Sequence, residues 1–226
     1  TYSFPLAIPP GRSGLQPDLS ISYNSQNTEL NSAFGYGWNL SIPYIERIAR
    51  EGTDKLYAKN YFYSSLSGEI TATNLSDTTH GIYQSKVDEG SFLHYDFNAQ
   101  NQWIVTTKNG QVYKFGLTAA TRQDNPNDAT KIYKWMLEEV RDLNNNFIKY
   151  EYSKNGGQVY PSRISYTGSG NVEGIFEILF TTENRPDTTK QYNTGFEVST
   201  ISRVKQIETR VNGQWVRKYD LTYTVG

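Results

Sequence analysis

The chain has 226 residues, 36% of them hydrophobic and 20% charged, which is enough to bury a core and to form one large all-β domain or two small ones. It contains no cysteine, so disulfides, thiolate metal sites and cysteine nucleophiles are excluded. The formal net charge is −1 and no run of Lys or Arg occurs, which argues against a nucleic-acid or anionic-membrane binder.

The aromatic content favours strands and turns over helices. With 18 Tyr, 10 Phe and 4 Trp against 1 Met, the chain is rich in residues that pack well on a pleated sheet. No stretch approaches the roughly 18 apolar residues that a membrane-spanning helix needs. The chain begins at Thr1 without a methionine, so we expect it to be a piece of a longer protein.

Short alternating runs in the first half predict half-buried strands. DLSISY and FLHYDF each place large apolar side chains on one face, namely Leu19, Ile21 and Tyr23 in the first run and Leu93, Tyr95 and Phe97 in the second. QWIVTTKNGQVYKFG predicts a hairpin. Its Asn109-Gly110 pair is expected to form a type I′ turn, in which both central residues need positive φ.

The stretch AFGYGWNLSIPYIERI, residues 33–48, combines two glycines with two large aromatics. Glycine weakens a strand, so Gly35 and Gly37 indicate that the backbone bends or approaches a neighbour closely beside Tyr36 and Trp38. We expect at least one of these glycines to have a positive φ and Trp38 to be mostly buried. No G-x-G-x-x-G or G-x-x-x-x-G-K-[ST] pattern follows, which argues against a phosphate loop.

The second half shows longer and more regular alternation. KIYKWML, FIKYEY, GIFEILF, RVKQIETRV and QWVRKYDLTY each predict a strand, and Asn212-Gly213 is expected to join the last two. In the final strand a shared face is predicted for Trp215, Tyr219, Leu221 and Tyr223, with Arg217 interrupting it. Strands of about eight to ten residues would span roughly 30 Å, which favours broad sheets over a tight small barrel.

The pattern contains no convincing helix. KWMLEEVRDL is the best candidate, but Tyr133, Trp135 and Leu137 alternate as in a strand. The most polar segments, residues 118–130 and 183–195, are predicted to be loops, and neither is long enough for a domain linker. We therefore expect residues 1–226 to form a single all-β domain with long antiparallel strands and hairpins in extended or sandwiched sheets.

Metal ligands are sparse in the sequence. His80 and His94 have no nearby partner at a ligand spacing, so they are interpreted as ordinary structural residues. Asp142, Asn144 and Asn146 have the one-three-five spacing of a calcium loop. The glycine and glutamate that such a loop then needs are replaced by Phe147 and Ser153, so a turn is the preferred interpretation.

Catalytic motifs are also weak. A glycosidase needs two facing carboxylates, and no spacing selects a pair from the many acids, which include Asp54, Glu69, Asp88, Glu89, Glu138 and Asp187. Glu138 and Glu139 are adjacent on a predicted strand and should point to opposite faces. No G-x-S-x-G nucleophile elbow is present. The sequence therefore assigns no catalytic, cofactor-binding or metal-ligating residue, and no cofactor is expected.

Two further features have alternative interpretations. The aromatic surplus fills a core or pairs across strands in the preferred interpretation, and forms a sugar-stacking platform in the alternative. Arg185 and Asp187 flank Pro186 and are expected to clamp their loop by charge-assisted hydrogen bonds.

A long series of motifs resembles the SpvB-type amino-terminal domain. TYSFPLAIPPGRSGLQPDLSISYNSQ is followed by FGYGWNLSIPYIERI, and similarity continues to VRKYDLTY, so the resemblance covers essentially the whole chain. The matching positions are Pro9, Pro10, Gly11, Gly14, Leu15, Pro17, Tyr23 to Ser25, Gly35, Gly37, Trp38, Pro43, Ile45 and Arg47. One departure is Asn145, where a glycine is usual in the turn, but asparagine also tolerates left-handed φ.

The resemblance implies a non-catalytic β-rich module. Domains of this family occur in a Salmonella plasmid virulence protein, in B components of insecticidal toxin complexes and in Rhs/YD-repeat proteins. The expected role is structural: part of a larger β shell or scaffold that encloses or presents a C-terminal effector in a secreted or cell-surface bacterial protein. The expected partners are downstream propeller and Rhs/YD-repeat domains or toxin-complex subunits, without nucleic acid or membrane insertion. A carbohydrate-binding module that uses surface aromatics is the alternative, and a glycosidase-like enzyme is a third reading.

Overall fold

The computed structural model describes residues 1–26, 32–87 and 90–224, so Asp88 and Glu89 lie outside the described residues. Among the described residues, the only helical elements are the 3₁₀ turns Thr53–Lys55 and Ala119–Thr121, and everything else regular is β-strand. No helix in these ranges has the length and apolarity needed to cross a membrane. The predicted all-β class is confirmed.

The chain divides into two compact units. The first unit comprises Thr1–Ile42, Asn145–Gln191 and Val198–Gly226, and the second comprises Pro43–Asn144 and Tyr192–Glu197. The strands of the first unit are β1 (Tyr2–Pro5), β2 (Ser20–Tyr23), β3 (Trp38–Leu40), β13 (Asn146–Asn155), β14 (Gln158–Ser169), β15 (Phe176–Gln191), β16 (Val198–Val211) and β17 (Gln214–Asp220). Those of the second are β4 (Tyr44–Arg47), β5 (Phe62–Ser64), β6 (Gly68–Leu75), β7 (Gly81–Ser85), β8 (His94–Phe97), β9 (Trp103–Thr106), β10 (Val112–Phe115), β11 (Arg122–Asn125) and β12 (Asp128–Arg141).

The strands of the second unit close into a barrel. Neighbours from β4 to β10 pair antiparallel in chain order, and β12 pairs with both β4 and β10. The β12 strand can do this because Lys134 to Met136 face β4 while Leu137 to Arg141 face β10. The prediction of broad sheets rather than a tight barrel is wrong for this unit. Most of its strands are short, and the long β12 closes the ring by pairing with both β4 and β10, which leaves those two strands no open edge.

Large aromatic side chains fill the barrel. Trp103 stacks on Phe97 with ring centroids 4.4 Å apart, and Phe62 meets Trp103 edge-on at 5.0 Å. Other fully buried side chains of this core include Tyr83, Tyr95, Phe115 and Trp135. The preferred interpretation of the aromatic surplus, packing in a core, is confirmed for the second unit.

The polar segment 118–130 is not the loop that was predicted. It contains the turn Ala119–Thr121 and then β11, which pairs with the start of β12 through two register shifts. Not all of its polar residues are exposed to solvent, because the side chains of Thr121 and Gln123 are both buried. The polar composition of this segment therefore gave a loop prediction for what is a hairpin of β11 and β12.

The two Asn-Gly hairpins differ. Asn212 and Gly213 have φ of 48° and 77°, and Val211 pairs directly with Gln214, which is the predicted type I′ geometry. At the other hairpin only Gly110 has a positive φ, of 79°, and Thr107 N–H donates to the Gln111 carbonyl at 2.9 Å. The type I′ prediction is wrong for Asn109-Gly110, because a longer loop closes that hairpin.

The first unit contains open sheets. β1, β2 and β3 form a three-stranded antiparallel sheet, and β13 to β17 pair in chain order. β15 has 16 residues, which is longer than predicted, and it runs through most of the segment 183–195. The loop prediction for that segment is wrong, because a register shift between Asn184 and Thr189 lets the strand accommodate Pro186.

A β-bulge also changes the predicted face of β17. Tyr219 lies opposite Ile207 and Arg217 lies opposite Thr209, but the register shifts before Trp215 lies opposite Arg210. Because cross-strand partners share a face, Trp215 is turned away from the face of Tyr219. The prediction that Trp215 and Tyr219 share a face is therefore wrong, and Trp215 is 72% exposed.

Candidate functional site

The main candidate site is an open groove in the first unit, which we call the aromatic groove. It has a volume of about 690 Å³, within the ordinary range of ligand-sized clefts. Four parts of the chain line it: Tyr2 and Phe4 from β1, Ile21 from β2, residues 34–36 with Trp38, and residues 219–224 at and beyond the end of β17. The groove thus joins the glycine-aromatic stretch to both ends of the described chain.

Perpendicular ring pairs build the walls of the aromatic groove. Tyr2 meets Trp38 with centroids 6.3 Å apart at 81°, and Phe4 meets Tyr219 at 5.9 Å and 84°. Tyr2 is 59% exposed and Tyr36 53% exposed. In each edge-to-face pair the edge of one ring covers a face of the other. The groove therefore presents narrow gaps between rings rather than a flat aromatic surface on which a sugar ring could stack.

The two glycines of the stretch are required by the backbone and by their neighbours. Gly35 has φ of 97° and Gly37 has φ of 75°, so the prediction of at least one positive φ is confirmed. A Cβ on Gly37 would lie 2.7 Å from the Tyr23 ring. Trp38 is partly buried beneath Tyr2 and Tyr23, and its remaining surface faces the groove.

The Arg185–Asp187 clamp forms as predicted, although on a strand rather than in a loop. Arg185 donates from Nε to Asp187 Oδ1 at 3.0 Å and from Nη2 to Oδ2 at 2.8 Å. This pairing lowers the pKa of Asp187 below its usual value. Arg185 Nη1 also donates to the Ser32 carbonyl at 3.1 Å, and Ser32 Oγ donates to the Trp38 carbonyl. The clamp therefore helps to position Trp38, which lines the aromatic groove.

An ion pair lies beside Tyr223, one of the residues that line the groove. Arg203 lies over the Tyr223 ring, 4.4 Å from its centroid, and donates from Nε to Glu183 Oε1 at 2.8 Å. Burial raises the pKa of Tyr223 to about 12, so its hydroxyl stays neutral. The groove therefore has a mainly aromatic lining that also includes Asp220, and the neutral Tyr223 hydroxyl is not an activated nucleophile.

The histidines have structural surroundings. His80 places Nδ1 2.7 Å from Asp77 Oδ2 and Nε2 3.1 Å from Asn101 Oδ1. Backbone N–H groups of Thr79 and His80 lower the pKa of Asp77 to about 2. His94 lies apart on β8 with an exposed side chain. In the ranges the structure describes, no three acidic or histidine side chains gather closely enough to hold a metal ion.

The acidic candidates are engaged in local contacts. Glu138 accepts hydrogen bonds from Thr118 N–H at 2.9 Å and Thr121 Oγ1 at 2.7 Å. Glu139 points to the other face of β12, where it pairs with Lys114 at 2.8 Å. The remaining acids of the sequence set are engaged as follows: Glu69 with Arg50 and Lys86, Asp54 with Lys55, Asp187 with Arg185, and Asp142 Oδ1 with the N–H of Asn144.

Arg47, a position of the family motif, has a role that the pattern alone could not reveal. It is buried in the second unit, where Nε donates to the Ile132 carbonyl at 3.0 Å and Nη1 to the Lys59 carbonyl at 3.1 Å. Its guanidinium lies 4.8 Å from the Phe62 ring centroid. Burial lowers its pKa to about 10, and the carbonyls and rings replace water around the charge.

Comparison with known proteins gives relatives over most of the chain. The family model described as SpvB, Salmonella virulence plasmid 65kDa B protein, matches residues 1–169. The mono(ADP-ribosyl)transferase SpvB of Salmonella typhimurium is 23% identical over 280 residues, covering 92% of this chain and 46% of the relative. Its counterpart from Salmonella choleraesuis strain SC-B67 is 26% identical over 185 residues, with 70% and 30% covered. The chain thus spans less than half the length of these relatives.

Solved structures share the fold over nearly the whole chain. The N-terminal domain of effector protein SpvB from Salmonella typhimurium strain LT2 matches with a TM-score of 0.76 and 19% identity, covering 98% of this chain and 99% of that one. A TcdB2-TccC3-TEV structure matches with a TM-score of 0.80 and 19% identity, covering 99% of this chain but 14% of the other. Because the family model extends over residues 1–169, this chain belongs to the SpvB family.

Proposed function

We propose that residues 1–226 act as one non-catalytic structural and interaction module of a large secreted or cell-surface toxin-like protein of the Rhs/YD-repeat type. The module contributes strands to a β-sheet shell or scaffold that encloses or presents a C-terminal effector. Its partners are downstream propeller and Rhs/YD-repeat domains of the same polypeptide, or other toxin-complex subunits. Nucleic acid and membrane insertion have no part in this role.

The extent of the shared fold carries the proposal. The same fold accounts for 99% of the solved SpvB N-terminal domain, yet for only 14% of the chain in the TcdB2-TccC3-TEV structure. A unit that occurs both as the N-terminal domain of an effector protein and as a small part of a much longer chain behaves as a module that other parts are built upon. The similarity lies in the fold, so the scaffold role is our inference.

The chain path supports treating residues 1–226 as one module. The first unit is made of three separate segments, and the second unit is inserted between them. No single cut of the chain separates the two units, which argues against two independently exchanged domains.

The side chains support a role without catalysis. Glu138 and Asp187 each have local hydrogen-bond partners, and the aromatic groove is lined mainly by aromatic side chains. The relatives are named as ADP-ribosyltransferases, and this chain spans only 46% of the first and 30% of the second. We propose that the transferase activity resides in the part of those relatives that this chain does not match.

The test uses the complete polypeptide that contains this module. With residues 1–226 present, we expect its C-terminal segment to resist limited proteolysis, and we expect deletion of the module to expose that segment. The isolated chain should transfer no ADP-ribose from NAD to the proteins of a cell lysate. Equal protease sensitivity with and without the module would contradict the scaffold role, and transfer by the isolated chain would contradict its non-catalytic nature.

The carbohydrate alternative is tested with the same isolated chain on a glycan array. Perpendicular ring pairs in the aromatic groove do not favour a flat sugar ring, so we expect no binding. Glycan binding that is lost in Tyr36→Ala would replace the scaffold proposal by the carbohydrate-binding one. Tyr63→Ala, an exposed aromatic of the second unit, is the matched control.

A further inference from the structure

A second cleft of the first unit, which we call the Arg12 cleft, has apolar walls that face water. It has a volume of about 680 Å³. Its walls come from Pro10 to Arg12 and from residues between 167 and 176, where β14 ends and β15 begins. Val172 and Ile175 lie in this cleft and are 73% and 55% exposed. Exposed apolar side chains that gather in a cleft mark a surface that is stabilised when it is covered.

The turn that carries Arg12 is attached to the sheet on both sides. Before the turn, Tyr166 Oη donates to the Pro9 carbonyl at 2.9 Å, which ties this segment to β14. After it, Leu15 N–H donates to the Arg12 carbonyl at 2.9 Å, and the Leu15 side chain is buried. The two residues between Arg12 and Leu15 both have positive φ, as a tight two-residue turn requires. The main chain therefore holds Arg12 at the wall of the cleft.

The Arg12 guanidinium is a cation without a protein partner. In the part of the chain that the structure describes, Arg12 and Arg217 are the two arginines whose guanidinium groups contact no acid, carbonyl oxygen or aromatic ring. The acid of the cleft, Glu173, is already engaged by Lys149 at 2.8 Å and by Arg163 at 3.1 Å. Arg12 therefore keeps its capacity to bind an anion from outside the described chain.

Two hydroxyl groups of β14 line the same cleft. Thr167 and Ser169 form no side-chain hydrogen bond with another described residue. Thr167 has a φ of 71°, which a β-branched residue rarely adopts, and it lies where the register of β14 against β13 shifts. A bulge re-aims the side chains beside it, and backbone strain of this kind is concentrated at ligand sites. The unengaged polar side chains of the cleft can thus all donate to an anion.

From these contacts we propose that the Arg12 cleft binds an acidic peptide. An apolar side chain of the peptide covers Val172 and Ile175, and a neighbouring carboxylate accepts hydrogen bonds from Arg12. A small molecule is normally enclosed over roughly 70–90% of its surface, and walls as exposed as these do not enclose one. An extended peptide needs cover on one side only, because its alternate side chains point to opposite sides. The proposal does not rest on the scaffold role, since a scaffold needs no peptide ligand.

The experiment measures binding of residues 1–226 to an array of short peptides with capped ends, so that side chains supply the only carboxylates. Each acidic peptide combines Leu, Ile or Phe with Asp or Glu, and its matched control carries Asn or Gln instead. We expect the acidic peptides to bind about fivefold more tightly than their controls at low salt, as for an exposed ion pair. This preference should decline at high salt, because salt screens exposed charges.

Three variants test whether the cleft is responsible. Arg12→Gln should bind acidic peptides and their controls equally, whereas Arg217→Gln, which removes the other guanidinium without a partner, should keep the preference. Val172→Ser should weaken both classes of peptide alike, because it removes apolar surface and leaves the charge unchanged. All three side chains are exposed, so the variants should unfold at the same urea concentration as the unmodified chain.

The proposal is overturned if acidic peptides show no preference, if the preference persists in Arg12→Gln, or if Arg217→Gln abolishes it as well. Octanoate is the competing ligand, since it joins an apolar chain to a carboxylate without a peptide. Binding of octanoate as tight as that of the best acidic peptide would also overturn the proposal, because the peptide would then contribute nothing to recognition.

Discussion

Both units of this protein bury aromatic side chains, but the first unit also leaves a group of them accessible around its groove. In the second unit the strands form a closed barrel, and Trp103 is 0% exposed inside it. In the first unit the sheets are open, and aromatic rings such as Tyr2, Tyr36 and Trp215 remain accessible. The residue types are the same, so the difference comes from topology. A closed barrel of strands encloses its aromatic side chains, whereas an open sheet leaves aromatic surface accessible to other contacts.

This comparison predicts a large loss of stability on truncating a barrel aromatic. Trp103 contacts Phe97, Phe62 and Tyr83 at centroid distances of 4.4, 5.0 and 5.1 Å. Trp103→Ala should lower the free energy of unfolding by about 3–5 kcal/mol, because it leaves a cavity in a fully packed core. Urea unfolding followed by circular dichroism measures the change.

Trp215→Ala is the matched control for that substitution, since it removes the same side chain from an exposed position. Its effect should stay within about 0.5 kcal/mol. Equal losses for Trp103→Ala and Trp215→Ala would contradict the contrast between a closed and an open aromatic surface.

The next largest effect is expected at Gly37, in the open unit. Valine there needs a positive φ that a β-branched residue rarely adopts, and its Cβ would meet the Tyr23 ring at 2.7 Å. Gly37→Val should therefore cost about 2–3 kcal/mol of unfolding free energy, measured by urea titration.

Gly170→Val separates the two causes. Gly170 also has a positive φ, of 62°, but a Cβ there would meet nothing within 4 Å. The Gly170→Val variant should therefore lose less unfolding free energy than the Gly37→Val variant. If both variants lose the same stability, the close approach of Tyr23 has no measurable cost, and the fit of the aromatic groove is looser than the contacts indicate.

Local patterns in the sequence predicted individual strands well. The alternation of Tyr133, Trp135 and Leu137 correctly placed KWMLEEVRDL on a strand, because side chains on β12 must alternate between the barrel core and its outside. The left-handed φ of Asn145, 60°, was likewise predictable from residue type, since asparagine tolerates that region.

Features that depend on pairing were not predictable in the same way. Closure of the barrel requires β10 to find β12, and no local pattern in either strand records that partner. Trp215 was misplaced because a bulge adds one residue to the ladder, which reverses the alternation on which the prediction depends. The segment around Pro186 was predicted to be a loop from its polar composition, which does not record that β15 continues through a register shift. The aromatic groove needs four separate segments together, so of its lining residues only Gly35, Tyr36 and Trp38 stood out in the sequence.

A smaller and pH-dependent effect is expected at the clamp beside the groove. Arg185 is buried and loses its ionic partner in Asp187→Asn, which should cost about 1–2 kcal/mol at neutral pH. The pKa of Asp187 is lowered by the hydrogen bonds from Arg185. A depressed carboxyl pKa stabilises the fold above the unfolded value, about 3.9, and this contribution is lost as pH falls through the folded pKa.

The difference in stability between the protein and Asp187→Asn should therefore shrink below about pH 4 and be constant from about pH 5 to 8. Urea titrations at several pH values measure it. A difference that grows as the pH falls would have the wrong sign for a carboxylate clamp, and a difference that is the same at every pH would assign the loss to packing.

The smallest effect is expected in the exposed ion pairs of the open sheet, where Glu173 Oε1 lies 2.8 Å from Lys149 Nζ and Oε2 lies 3.1 Å from Arg163 Nη1. The Glu173 side chain is 41% exposed, so water and salt compete for both cations. Glu173→Gln should cost less than about 1 kcal/mol, and the cost should decline at high salt. In contrast, the loss in Trp103→Ala should not depend on salt, because apolar packing in the closed barrel involves no exposed charge. A salt-independent loss at Glu173 would mean that the side chain acts through packing, and the open sheet would then resemble the barrel more than its exposure indicates.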